Sequence, residues 1–164
     1  MGTSSRIATL LDAAMLVANH VGIYPHSVPW SQIEEEQGAK GVDVSAQVGP
    51  RYLIHYIQRR DVGHFARGRG GRVYVTPTPY SPEETISWLS LPFPTAFREF
   101  ALFLNPKRLG YKDAGPLCRV YGPRWVPFGG GIEYLLLDGF TEDAVVAVAD
   151  DPPGPAGRWE LEVK

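Results

Sequence analysis

Residues 59–77 read RRDVGHFARGRGGRVYVTP, a stretch with five arginines and one aspartate whose centre is made of glycine and arginine. The segments 64–67 and 72–76 have the apolar and aromatic character of short strands, and they flank Gly70 and Gly71. Two adjacent glycines suit a tight hairpin turn that requires positive φ. The stretch therefore predicts a basic β-hairpin over residues 65–75.

The segment before the hairpin predicts an α-helix over residues 50–60. Pro50 is tolerated only in the first turn of a helix, so the helix would begin there. Leucine and isoleucine side chains recur on one face at helical spacing. The other face carries polar side chains in register, namely Arg51, His55, Gln58 and Arg59.

Further helices and strands are predicted on both sides. We expect a first helix over residues 5–21 and a second over 31–37, where Ser31 and Glu34 have capping-box spacing. The proline-rich segment 76–82 indicates a boundary near residue 77. After it, Ser81 and Pro82 predict a helix start, residues 95–104 predict another helix, and 132–138, 144–150 and 158–164 predict a three-stranded antiparallel sheet.

Three helices followed by a basic hairpin over residues 5–76 resemble a winged helix-turn-helix DNA-binding domain. The stretch YLIHYIQRRDVGHFARGRGGRVYVTP is similar to the recognition helix and wing of the MarR/PadR type. The resemblance implies a winged-helix domain over residues 1–77. Together with the two helices and three strands predicted after it, the chain would be an α+β protein, with residues 78–164 as an α+β region for packing, dimerisation or effector binding.

The charge distribution supports a polyanionic partner. Residues 51–72 contain six arginines and one aspartate, a charge of +5, although the whole chain has a formal charge of −2. The planar guanidinium of arginine pairs with phosphate oxygens better than the ammonium of lysine does. The alternative is that these arginines only form a solvated helix face and a charged strand edge that prevents aggregation, without any contact with DNA. We expect binding of duplex DNA by a homodimeric transcription regulator without a cofactor, through Arg51, His55, Gln58, Arg59, Arg60, Arg67, Arg69 and Arg72.

Two alternatives remain open. The C-terminal pattern resembles the Asp…Glu-x-Lys core of Mg²⁺-dependent nucleases, with Asp143 or Asp138, Glu162 and Lys164 in those roles. An alternating terminal strand with an acidic outer face would produce the same pattern. The second alternative is a protein-interaction module, in which the acidic C-terminal sheet contacts a basic partner.

Composition narrows the class of protein. A chain with 44% apolar and 21% charged residues is ordinary for a soluble globular domain, and no apolar run is long enough to cross a membrane. The single cysteine, Cys118, excludes an internal disulfide and a CxxC metal site, and the four histidines lack metal-ligand spacing. We therefore expect a cytoplasmic protein without a metal, and its Arg, Gly and Pro content suits a thermophilic source.

Overall fold

Short antiparallel β-strands dominate the described part of the chain. The computed structural model describes residues 29–38, 52–89, 91, 98–108, 120–126, 129–150, 152 and 161–163. Within these residues lie nine strands and three α-helices, a mixed helix and sheet architecture. The strands form one four-stranded sheet, one three-stranded sheet and one two-stranded ribbon.

The four-stranded sheet is built from apolar runs. Its strand order is β1-β4-β8-β9, with bounds Leu53–Ile57, Phe100–Leu104, Val145–Asp150 and Leu161–Val163. All five residues of β1 are buried, as are four of the five in β4. Strands covered on both faces have continuous apolar runs instead of an alternating pattern.

The three-stranded sheet has the order β3-β6-β5, with bounds Val73–Val75, Ile132–Leu136 and Val120–Trp125. A two-stranded ribbon pairs β2 (Gly68–Arg69) with β7 (Phe140–Thr141). The two larger sheets meet where Ile54 and Thr76 exchange backbone hydrogen bonds of 2.8 and 2.9 Å. This bridge covers the outer edge of β1 and explains why a strand at the end of its sheet is fully buried.

Local sequence signals account for the helices. Helix α1 (Trp30–Gln37) ends at Gly38, whose φ of 70° is in the left-handed region. Helix α2 (Val62–Phe65) is a single turn that follows a 3-10 turn over Arg59–Asp61. Helix α3 (Pro82–Trp88) starts with a complete capping box between Ser81 and Glu84, as the sequence predicts.

The main core lies between the two larger sheets. Leu53, Ile57, Leu102 and Leu104 from the four-stranded sheet pack against Val73, Val75, Tyr134 and Leu136 from the three-stranded sheet. A second cluster covers the other face of the four-stranded sheet. A third lies beneath α1, where Trp30 and Ile33 contact Tyr121 and Leu135.

The recognition helix predicted over residues 50–60 is wrong for the described part of that range. Residues 53–57 form strand β1, which pairs in register with β4, and residues 59–61 form a 3-10 turn. A short apolar run is compatible with either a buried helix or a buried strand, and the pairing with β4 decides between them. Arg51 lies outside the described residues.

The predicted hairpin over residues 65–75 is also wrong. Residues 62–65 form α2, β2 pairs with β7, and β3 pairs with β6. Gly71 does adopt a positive φ of 84°, as a turn requires. The chain therefore turns at the glycines as expected, but each flanking strand pairs with a strand distant in the sequence, Val75 with Tyr134 and Gly68 with Thr141, instead of with its neighbour.

Three smaller predictions need correction. Residues 100–104 of the helix predicted over 95–104 form strand β4. The C-terminal strands exist, but β6 belongs to the three-stranded sheet and only β8 and β9 pair with each other. The predicted second helix is confirmed as α1, yet its N-cap is Pro29 with no side-chain hydrogen bond, so Ser31 does not cap it.

Both larger sheets cross the domain boundary predicted at residue 77, because β1 pairs with β4 and β3 pairs with β6. The winged helix-turn-helix arrangement is not confirmed, and the first helix predicted over residues 5–21 lies outside the described residues. Among the residues that are described, no helix is long and apolar enough to span a membrane.

Candidate functional site

A cavity of about 480 Å³ opens where β1, β3 and β6 come together. This volume is typical of small-molecule sites. Its apolar wall includes Phe65, Leu89, Leu91 and Val126. Its polar and charged lining is more unusual, and the side chains that matter most are His55, Arg69, Arg72, Tyr74, Arg98 and Glu133.

His55 is held by a single backbone hydrogen bond. Its Nδ1 lies 2.9 Å from the carbonyl oxygen of Tyr74. A carbonyl oxygen only accepts hydrogen bonds, so Nδ1 must carry the proton and donate it. The rings of Phe65 and Phe140 meet the imidazole edge to face at 5.8 and 5.9 Å and fix its plane.

The other imidazole nitrogen, Nε2, is buried and has no hydrogen-bond partner among the described residues. Burial and, to a smaller extent, the positive charges of Arg69 and Arg98 lower the pKa of His55, the hydrogen bond to Tyr74 opposes them, and the net result is a pKa of about 4. The ring is therefore neutral at pH 7. Its Nε2 presents an unused lone pair, which can accept a hydrogen bond from a hydroxyl or N–H group.

Three arginines line the cavity together with the carboxylates of Asp61 and Glu133, so its lining carries both signs of charge with one more positive than negative. The Nη1 atom of Arg98 is buried without a hydrogen-bond partner among the described residues. Burial also lowers the pKa of the Arg98 guanidinium, although arginine stays charged at neutral pH. Arg69 stacks on the ring of Phe65 at 4.6 Å, and Arg72 pairs with Glu34 of α1 at 2.8 Å.

Glu133 places a carboxylate in the same cavity, where only 7% of the residue is exposed. Its Oε1 accepts a hydrogen bond of 2.9 Å from Nε of Arg124, which lies opposite it on β5. Burial raises the pKa of Glu133, and the ion pair with Arg124 opposes that shift. The indole N–H of Trp30 also favours the charged form, but it does not complete a hydrogen bond of good geometry.

A second, more open groove of about 1080 Å³ lies on the other side of β2. Arg69 lines both spaces, so the groove and the cavity adjoin at this residue. The groove mixes both signs of charge, with Arg67 and Arg108 facing a segment that contains Asp138, Glu142 and Asp143. It therefore lacks the uniform positive charge that a phosphate backbone would favour.

The residues predicted to contact DNA lie in different surroundings. His55 is buried, and Gln58, Arg69 and Arg72 line the cavity. Arg59 is paired with Asp150 at 2.9 Å and also lies near Glu99. Arg60 is exposed in the 3-10 turn, and Arg67 lines the separate groove.

The nuclease alternative gains no support from the described geometry. Asp143 lies in a 3-10 turn, where its carboxylate accepts a hydrogen bond from the hydroxyl of Thr141. Glu162 is on β9 opposite Val148, and Lys164 lies outside the described residues. Across the described ranges, no group of three or more His, Cys, Asp or Glu side chains is arranged to hold a metal ion.

Sequence reasoning missed the carboxylate of the site. Glu133 interrupts the apolar segment IEYLLL of β6, and Arg98 precedes the apolar strand β4. A lone charge within an apolar strand is a signal, because an unpaired buried charge would be too costly to keep. The residues that meet it in space are distant in sequence, and the pattern alone does not identify them.

Comparison of the chain with protein-family models, with curated proteins and with solved structures finds no match.

Proposed function

We propose that the central cavity binds a phosphorylated, hydroxyl-bearing small molecule of the nucleotide class. The observation that carries the proposal is that two residues lining one cavity, His55 and Arg98, each have a buried polar atom without a hydrogen-bond partner among the described residues, Nε2 and Nη1 respectively. Buried polar groups are almost always hydrogen-bonded in native proteins, so two such residues around one cavity favour a polar ligand there.

The two atoms would bind different groups of a ligand. Nε2 of the neutral His55 needs a donor, which a sugar hydroxyl provides. The guanidinium of Arg98, with Arg69 and Arg72 in the same lining, favours an anion, and arginine pairs best with carboxylate or phosphate. A sugar joined to phosphate meets both demands, and a cavity of about 480 Å³ accommodates a molecule of that size.

Glu133 favours a catalytic role for the same site. An anionic ligand alone would be repelled by a carboxylate in the cavity, so the carboxylate fits a hydroxyl pair or a positive charge on the ligand. Beside a ribosyl group, a carboxylate also stabilises the positive charge that develops at the anomeric carbon when the bond to the base breaks and water adds in its place, which releases the free base and leaves a hydroxyl on the sugar. A dinucleotide with a cationic ring, such as NAD⁺, combines diphosphate, ribose hydroxyls and that charge.

The binding test is calorimetric titration of NAD⁺, ADP-ribose, ATP, AMP and inorganic phosphate into the full chain. Arg98→Ala removes a charged hydrogen-bond donor and should weaken binding of the preferred nucleotide by about 10- to 100-fold. Arg60→Ala is the matched control, because Arg60 is exposed outside the cavity. Failure of every nucleotide to bind, or equal binding by the Arg98 and Arg60 variants, would refute the proposal.

The catalytic test is release of the free base from NAD⁺, followed by chromatography. Glu133→Gln keeps the shape of the side chain and removes its charge, so turnover at saturating nucleotide should fall by roughly 10² or more. Turnover by the Gln variant at the wild-type rate would exclude Glu133 as the catalytic carboxylate and leave the binding proposal standing.

Duplex DNA is the competing ligand. Its binding through residues 50–60 and 65–75 is the function expected from the sequence, and titration at several salt concentrations measures it. If duplex DNA binds with a steep salt dependence that Arg67→Ala reduces, and nucleotides do not bind, DNA recognition is the better account.

A further inference from the structure

Arg124 forms an ion pair with Glu133, the carboxylate that lines the cavity. Glu133 lines the cavity, whereas Arg124 is not among the described residues that do so. The Arg124 and Glu133 side chains are only 14% and 10% exposed, and they are joined by the hydrogen bond of 2.9 Å between Nε and Oε1. Of the contacts described for Arg124, the one with Glu133 therefore links it to the lining of the cavity.

Packing holds the Arg124 guanidinium in place. Its central carbon lies 4.4 Å from the centre of the Trp30 ring, and the Trp30 ring lies 6.2 Å from that of Tyr74. Strand register places Arg124 directly opposite Glu133 on the neighbouring strand. The guanidinium thus has one stacked face and one hydrogen-bonded edge, which together restrict its position.

The ion pair leaves the two carboxylate oxygens of Glu133 unequal. Oε1 accepts the hydrogen bond from Arg124, so we take Oε2 as the oxygen that would meet a molecule in the cavity. A carboxylate fixed by one oxygen can present the other to a hydroxyl group with little loss of conformational freedom on binding.

We infer that Arg124 is the positioning residue of the site, keeping Glu133 ionised and aiming its free oxygen at the ligand. This role rests on the proposed function, since it presumes that a nucleotide meets Glu133. The competing explanation is structural, in which Arg124 only stabilises the packing of β5 beneath α1. The two explanations differ in how ligand binding should depend on pH.

A pH-dependent test must distinguish the titration of Glu133 from that of the other ionisable groups around the cavity. Between pH 6 and 9 the arginines remain charged, and His55, whose pKa is about 4, remains neutral. The ionisable groups that line the cavity with Glu133 are His55, Asp61, Arg69, Arg72, Tyr74 and Arg98. Asp61→Asn is a useful control for a second carboxylate in the same space.

The first measurement follows Glu133 itself in the ligand-free protein by carbon-13 NMR of labelled glutamate carboxyl groups. Glu133→Gln assigns the signal. Arg124→Ala removes the charge that favours the ionised form while burial persists, so the Glu133 titration should move to higher pH. Arg59→Ala, which breaks an exposed ion pair with Asp150, should leave it unchanged.

The second measurement is NAD⁺ affinity against pH for the same variants. If Arg124 positions and ionises Glu133, the Arg124→Ala variant should bind NAD⁺ about 10²-fold more weakly than the wild type near neutral pH. Part of this affinity should return as the pH rises through the range in which Glu133 of the variant loses its proton. Should that variant fail to fold, Arg124→Gln keeps contact with Trp30 without the charge, and the same behaviour is expected.

The results separate the two explanations and the underlying proposal. A Glu133 titration that does not move in a folded Arg124 variant, or a loss of affinity that is equal at every pH, overturns the positioning role. A shifted Glu133 titration in a protein that binds no nucleotide overturns the proposed function, and with it the positioning role toward that ligand.

Discussion

At the scale of single residues, His55 owes its chemistry to one backbone carbonyl. The Tyr74 oxygen fixes the proton on Nδ1 and leaves Nε2 as a buried acceptor on a residue that lines the cavity. The same imidazole on an exposed helix face would titrate near neutral pH and would favour contact with DNA instead. The environment of His55, more than its identity, therefore directs the proposed function toward a small molecule.

The depressed pKa of His55 predicts acid sensitivity of the fold. Its value of about 4 lies below the ordinary 6.5, so the unfolded chain binds a proton more readily than the folded one between these values. The contribution of His55 to the free energy of unfolding should therefore be fully present above pH 6.5. It should decrease by about 3 kcal/mol as the pH falls toward 4. Urea unfolding of wild type and His55→Gln at pH 4.5 and 7 measures the difference.

The Gln variant should lose less stability on acidification than the wild type, because it has no proton to take up at this position. An equal loss in both proteins would mean that carboxylates elsewhere account for the acid response and that His55 is not held neutral by burial.

At the scale of elements, local signals predicted some of the structure and long-range pairing decided the rest. The Ser81, Pro82 and Glu84 pattern specifies the start of α3 without help from distant residues. The segments LIHYI and FALFL carry no such signal, since a short apolar run suits a buried helix or a buried strand. Each becomes a strand because the other pairs with it over five residues.

The ribbon of β2 and β7 depends on a glycine. Gly139 has a φ of 73°, and a Cβ added there would overlap the Arg69 carbonyl oxygen. Gly139→Ala should therefore displace β2, weaken nucleotide binding because β2 carries Arg69, and lower the free energy of unfolding by at least ~3 kcal/mol. Urea unfolding and calorimetry measure the two effects.

Gly130→Ala is the matched control, because Gly130 has a similar φ of 80° but open space around its Cβ position. It should cost only about 1 kcal/mol for the backbone conformation. Equal losses in the two variants would show that the close approach of Gly139 to Arg69 does not constrain the ribbon.

At the scale of the whole molecule, the two halves of the sequence share their sheets. Strands β1 and β3 come from before residue 77, and their partners β4 and β6 come from after it. The candidate site likewise combines both halves, because His55 comes before residue 77 and Arg98 and Glu133 come after it. Composition and periodicity predicted a mixed helix and sheet protein, but neither carries information on which distant strands pair.

A fragment of residues 1–77 should therefore fail to fold. Without β4 and β6, the apolar faces of β1 and β3 would have no sheet to join, and both strands would expose unpaired backbone groups. Circular dichroism and amide NMR spectra of the fragment test this directly. A cooperatively folded fragment would instead support an independent winged-helix domain.

The expected homodimer and cytoplasmic location remain predictions.

The central claim is that a nucleotide fills the cavity and satisfies His55, and nitrogen-15 NMR of the histidine side chains tests it most directly. In the ligand-free protein, His55 should show a protonated Nδ1 and an unbonded Nε2 at pH 7. Addition of NAD⁺ or ADP-ribose should shift Nε2 in the direction of an accepted hydrogen bond, and Arg98→Ala should reduce that shift at equal ligand concentration. An Nε2 signal that no nucleotide moves, together with amide shifts over residues 59–72 on addition of duplex DNA, would contradict the account.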